Sequence, residues 1–399
     1  MSFKLLEVVF QVGKILAMSP WNSETKTVHF PSLPYAFFVT GIYSVGLFIS
    51  AIYRYPVYVE LSSAKFTVQV LLDASLYLIN IGTILTAVRK KSEWRKLLLN
   101  LKITHHKSSE NAQYLRFVIA NLVYVVLSIL EGWVYGSLMG LDFVKQYAIE
   151  YLQMYSQFIL YFLLYVVLKM LLMRYEYITR FTSEFGKRRL LTKDYFWYLQ
   201  KIKCDICFLR ETSDLINNIF GWPFLLIVSF TTLQILQTIQ TILVKRRGNV
   251  SVTLYSISMI AWHFFWTYGN ILLCGSIQDE VEKILAVASK METLFSDNKT
   301  KESEQIRLFI NVVKENFPNF SAANFFDVNR KTVFQIFNTI VTFLVVMLQF
   351  EYSQDPNAVC TMMMGDSSSV TAAERCLLKK SLEAEVTIGT LEKPRSRNI

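Results

Sequence analysis

Two carboxylates sit inside long apolar runs, Asp73 and Glu131. A charge in hydrocarbon is costly unless it faces protein or water, so each marks a polar interior. Other polar and aromatic groups share such runs: Trp133 beside Glu131, then Tyr155 and Gln157, then Gln234 and Gln237, then Tyr255, Trp262 and His263. Gln234 and Gln237 are three apart and fall on one helix face. Taken singly, each group reads as glue that hydrogen-bonds helix to helix. Taken together, they come from five runs at one depth, and that fits a pocket for a small polar or amphiphilic ligand.

Other chemistry is sparse. Cys204 and Cys207 form a lone Cys-x-x-Cys without a second pair, and five cysteines give no readable disulfide framework. His105-His106 sits in a basic loop, where a metal site is not expected. No nucleophile or acid–base cluster stands out, so neither an enzyme nor a cofactor or metal is expected. Sequons occur at Asn249, Asn298 and Asn319, of which Asn249 alone is expected on the outer face, as a glycosylation site. Near the end of the last apolar run lies one amide, Gln349. An amide there can face water, a pore or the lipid interface.

The elements that must position these groups follow from composition. The chain has 399 residues, of which 53% are hydrophobic and 18% charged, with a mean hydropathy of +0.33. A soluble domain carries about 25% charge. The deficit points to lipid as the solvent and predicts an all-α membrane protein. Seven runs are long and apolar enough to span, at 35–53, 66–88, 117–141, 151–173, 219–244, 252–277 and 332–350. Their backbone must be paired internally, hence helices; the alternation of a β-barrel strand is not seen. The formal charge of +10 lies between apolar blocks, where it sets topology and meets anionic lipid and does not mark a nucleic-acid binder.

Lys and Arg number 28 on the face carrying the N-terminus and 6 on the opposite face. The positive-inside rule then puts the N-terminus in the cytoplasm and the C-terminus outside. Lys245, Arg246 and Arg247 run against that rule. Residues 1–32 read as a cytoplasmic amphipathic segment, with its helix at 3–17 lying at or dipping into the interface. Residues 33–352 form the helix bundle. Its cytoplasmic loops 174–218 and 278–331 carry apolar residues at helical spacing, including a helix over 303–316 ended by Pro318. Residues 353–399 read as mostly disordered, with a short helix over 372–385.

The last run closes with Thr342-Phe343, then Leu344 to Leu348, then Gln349-Phe350, and Phe326-Asp327-Val328 precedes it. This resembles the insect gustatory receptors, whose signature is Thr-Tyr, five hydrophobic residues, then Gln-Phe. Phe343 replaces the Tyr, and the roughly 47-residue tail after Tyr352 departs from the pattern. The resemblance implies a plasma-membrane chemoreceptor opened by a small tastant. It also implies kinship with the insect odorant receptors, tetrameric ligand-gated cation channels whose last helix lines the pore. Carried to this chain, the pore would be lined by Thr342, Phe343 and a ring of Gln349 amides, with Val346 and Phe350 as hydrophobic gate. The chain would work as a homo- or heterotetramer in membrane lipid. An odorant receptor subunit is the nearest alternative. A G-protein-coupled receptor is further off, since the expected N-terminus is cytoplasmic and no Asn-Pro-x-x-Tyr closes the last run.

Overall fold

A computed structural model describes residues 3–22, 28–59, 61, 63–103, 110–187, 194–244, 250–295 and 301–354. His105-His106, Lys245 to Arg247, Asn249, Asn298, the tail from 355 and its expected short helix lie outside them. The chain forms two compact units, Met1–Asn338 and Thr339–Ile399.

The described residues form ten helices and two minimal hairpins. The helices are α1 (Phe3–Ile15), α2 (Leu33–Val59), α3 (Ser63–Arg89), α4 (Lys91–Ile103), α5 (Glu110–Met139), α6 (Asp142–Lys187), α7 (Asp194–Val244), α8 (Val250–Phe295), α9 (Lys301–Glu315) and α10 (Arg330–Gln354). Strands β1 (Trp21–Asn22) and β2 (Val28–His29) pair antiparallel, as do β3 (Ser321–Ala322) and β4 (Phe326–Asp327). Five helices are long and apolar enough to cross a membrane: α2, α3, α5, α6 and α7. The other two expected runs, 252–277 and 332–350, lie within α8 and α10.

In the first unit α6 is the central post. Nearly every side chain from Phe158 to Leu172 is buried, which is why its sequence is apolar all round. It packs along α8, with α2, α1, α3 and α5 on its other sides. By contrast α2 and α5 expose a wide apolar face, including Phe37, Phe38, Phe48, Leu122 and Ile129, as expected of helices that meet lipid. The 46 residues of α6 and 51 of α7 rise about 69 and 77 Å at 1.5 Å each. Both exceed a hydrocarbon core of about 30 Å, so they carry the fold beyond the expected spans. Along the same lines α8 runs unbroken to Phe295.

The N-terminal helix buries Leu5, Leu6, Val9 and Phe10 against protein, with Phe10 edge-on to Trp94 of α4 at 5.9 Å. Interface lipid is therefore not what covers that face. Helix α4 was not expected, although Trp94, Leu97, Leu98 and Leu101, all buried, recur at helical spacing.

Between α9 and α10 the chain is tied down by its neighbours. Gln278 of α8 donates to the Pro318 carbonyl at 3.3 Å, and Arg210 of α7 donates to the Phe317 carbonyl. Asn217 of α7 donates to the Asn319 carbonyl at 2.6 Å and accepts from the Ser321 N–H at 3.2 Å. The β3–β4 turn has positive φ at Ala323 and Asn324. It comes so close to α7 that a Cβ on Gly221 would stand 3.1 Å from the Ala323 nitrogen. Asn329 caps α10, accepting from the N–H groups of Lys331 at 2.9 Å and Thr332 at 3.3 Å. The first residue of α10, Arg330, pairs with Asp279 of α8 at 2.5 Å.

Candidate functional site

On α5, Tyr124, Glu131 and Tyr135 are seven and four residues apart and share one face. That face meets α6 and α8. The Tyr124 ring stacks on Phe158 at 5.2 Å and lies 5.5 Å from Tyr155 and 6.2 Å from Trp262. Three turns along, the Tyr135 ring lies 5.9 Å from both Phe143 and Tyr255. Glu131 is held between these two anchors, beside the hydroxyls of Tyr151 and Tyr255. Among the described residues no basic group neutralises it. Tyr155 donates to Asn121 Oδ1 at 3.2 Å, and Trp262 meets Trp266 edge-on at 5.7 Å. The result is a wall of aromatic rings around one carboxylate, with hydroxyls at its rim. Such a surface can stack a small ring or chain and orient one polar group.

The remaining expected residues separate into other neighbourhoods. Gln157 donates to the Tyr161 hydroxyl at 3.0 Å, which also bonds Thr231 of α7 at 3.0 Å; Thr231 bonds Thr267 of α8 at 2.8 Å. This buried chain ties three helices and reads as packing glue. His263 is buried against Phe230 at 5.5 Å, and neither ring nitrogen finds a partner among the described residues. Gln234 buries its Oε1 without one. Trp133 is 70% exposed. Two residues from Glu131 means about 200° round the helix, so it points off the bundle and does not join the aromatic wall.

Asp73 and Gln237 meet each other through Gln69, at the end of the bundle where α2 turns into α3. Asp73 accepts from Tyr58 at 2.6 Å, Gln69 at 3.1 Å and Arg54 at 3.4 Å. The amide of Gln237 donates to Gln69 Oε1. Arg54 also pairs with Glu150, donates to the Gln146 carbonyl at 3.0 Å, and lies 4.0 Å over the Tyr147 ring. Sequence reasoning missed Arg54 and Glu150 because each falls one residue outside an expected span. The signal was there, since a buried Asp73 requires a cation. Beside this network lies a cavity of about 340 Å³ whose lining includes Arg54, Tyr58, Lys65, Gln69, Tyr147 and Gln240.

In the second unit, Thr342, Phe343, Val346 and Gln349 are exposed side chains of α10. With Phe350, whose side chain is outside the described residues, their spacing of one, three, three and one puts them on one stripe. Among the described residues no group of three His, Cys, Asp or Glu could hold a metal ion. Cys204 and Cys207 are exposed on α7.

A family model described as 7tm chemosensory receptor matches residues 6–354. Over 144 residues the chain is 29% identical to gustatory and pheromone receptor 39a, isoform D, of Drosophila melanogaster. The match covers 34% of this chain and 36% of that receptor, so it spans about a third of the relative's length. The solved structure of the insect olfactory receptor OR5 from Machilis hrabei aligns with a TM-score of 0.57 at 12% identity, covering 87% of this chain and 97% of that one. The same receptor in complex with eugenol aligns at 0.60, with 12% identity, 87% and 98% covered. At that identity the likeness is one of fold.

Proposed function

The chain belongs to the 7tm chemosensory receptor family, and we propose on that premise that it is a gustatory receptor acting as a ligand-gated, non-selective cation channel. A small tastant binds against the aromatic wall of α5, α6 and α8. Seven helices cross the plasma membrane, with the N-terminus cytoplasmic and the C-terminus outside. Four copies, alike or mixed, surround a pore lined by the stripe Thr342, Phe343, Val346, Gln349 and Phe350. The observation that carries the ligand site is Glu131, a carboxylate with no basic partner among the described residues, held between the ring contacts of Tyr124 and Tyr135. A half-buried carboxylate within a membrane span is rare and marks a functional site.

The geometry supports a route from site to pore. Tyr255 and Trp262 lie on α8, and the same helix carries Asp279, about 25 Å further along. Asp279 holds Arg330, where α10 begins. A ligand that prefers one position of α8 therefore biases the base of the pore helix, by as much as its affinities for the two positions differ. The Gln349-Phe350 ending and the identity with a Drosophila gustatory and pheromone receptor support the gustatory reading. The fold shared with an olfactory receptor that has been solved with eugenol supports the odorant alternative.

The test is expression in cells loaded with a calcium dye, against sugars, bitter compounds, amines and volatile aromatics. Glu131→Gln and Trp262→Leu should each shift the dose–response curve about tenfold or more with surface expression intact, since each removes about one strong contact. Unaltered curves in both variants would remove the ligand from this wall. An agonist response that needs a G protein and carries no current of its own would defeat the channel reading.

A further inference from the structure

We propose that the cavity between α2, α3, α6 and α7 is a second ligand site, separate from the aromatic wall, and that it takes a compact uncharged molecule bearing hydroxyl or amide groups. Its volume of about 340 Å³ is at the small end of the range for small-molecule sites, roughly 300–1,000 Å³. Only a compact molecule fits.

The charge around the cavity is already balanced. Arg54 spends its guanidinium on Asp73, Glu150 and the Gln146 carbonyl. Lys65, also on the lining, has an interaction of its own. A charged ligand would lose its hydration and meet no uncompensated partner, which costs more than the site returns. An uncharged one avoids that cost.

Two polar groups on the lining are unused. Gln240 is only 7% exposed, yet its amide makes no hydrogen bond among the described residues. Tyr147, with its ring under Arg54, likewise makes none through its hydroxyl. Water in the cavity meets both groups, and a ligand that reproduces those bonds can displace it. Both groups donate and accept, so they are completed by groups that do the same, namely hydroxyls and amides. Val57, Leu61 and Val68 supply an apolar side against which the carbon skeleton rests. The aromatic wall has the opposite make-up, with many rings and one uncompensated carboxylate, and so selects different molecules.

The experiment uses the full chain in lipid nanodiscs and saturation-transfer NMR. The probes are myo-inositol and nicotinamide, both uncharged, with choline and glutamate as charged probes of similar size. At least one uncharged probe should bind and neither charged one should. Tyr147→Phe keeps the ring under Arg54 and removes the hydroxyl. Gln240→Leu removes the amide at similar size. Each should weaken the uncharged probe about tenfold, whereas Glu131→Gln should leave it unchanged. If Gln240→Leu fails to fold, Tyr147→Phe alone decides. No binding of either uncharged probe, equal or better binding of a charged one, or unaltered affinity in Tyr147→Phe would overturn the proposal. Loss of binding in Glu131→Gln would merge this site with the aromatic wall. None of these readouts needs current, so the channel reading stands or falls separately.

Discussion

Replacing Arg54 with Met should be among the most destabilising single changes in the chain. The side chain is 5% exposed, and its partners Asp73 and Glu150 are 16% and 17% exposed. Removing one member of a buried ion pair costs about 3–5 kcal/mol, because the survivor keeps a charge with no partner. Here two survivors remain. Asp73 is partly sheltered, since Tyr58 and Gln69 still donate to it at 2.6 and 3.1 Å. No other ion pair involving Glu150 is seen among the described residues, so most of the loss falls there. The stacking of guanidinium on Tyr147 at 4.0 Å adds about 1 kcal/mol. Met fills much of the volume, so little of the loss is cavity. The total of about 4–6 kcal/mol would lower the folded-to-unfolded ratio by roughly three to four powers of ten. Unfolding of the detergent-solubilised chain in denaturant, followed by tryptophan fluorescence, measures it. The companion variant Arg54→Met, Asp73→Asn, Glu150→Gln removes all three charges and should recover stability to within about 2 kcal/mol of the native chain. Equal stability of Arg54→Met and the native chain would refute the reasoning. So would a triple variant no better than the single one, which would mean that Arg54 acts through packing alone.

Three further outcomes are expected. An epitope tag before Phe3 should stain only after permeabilisation and one after Tyr352 on intact cells, as the 28-to-6 distribution of Lys and Arg requires; the reverse staining would restore the G-protein reading. If Gln349 lines a cation path, Gln349→Glu places several carboxylates in one ring and should move reversal potentials in mixed sodium and calcium toward calcium. An unmoved potential in a channel that still opens would take the pore away from this stripe. Asn217→Ala removes the two hydrogen bonds that hold Asn319 and Ser321 to α7. It should cost about 1–3 kcal/mol and raise amide exchange over 319–328 while leaving α6 protected; unchanged exchange there would mean that the close seat at Gly221 holds the hairpin unaided.

Much of this was legible along the chain because it depends on neighbours within a few turns. Hydropathy over about 20 residues marks a helix that can live in lipid, and α2, α3, α5, α6 and α7 follow those runs. Apolar residues at helical spacing in 174–218 point to helix, and α6 and α7 occupy most of that stretch; the same periodicity marks α4 in Trp94, Leu97, Leu98 and Leu101. Helical phase alone separates Trp133 from Glu131. What the linear chain could not decide is which helices share a boundary. Arg54 meets Asp73 across 19 positions and Glu150 across 96, and nothing in the spacing favours Arg54 over Lys65 or Lys145 as the cation those carboxylates meet. One expected pocket therefore became an aromatic wall around Glu131, a glue chain through Gln157 and a separate polar cavity near Asp73 and Gln237. Depth in the membrane follows from counting residues along one helix. Contact follows from how each helix is rotated and tilted against the others, and that is set by packing around α6, where side chains far apart in sequence must fill the same volume.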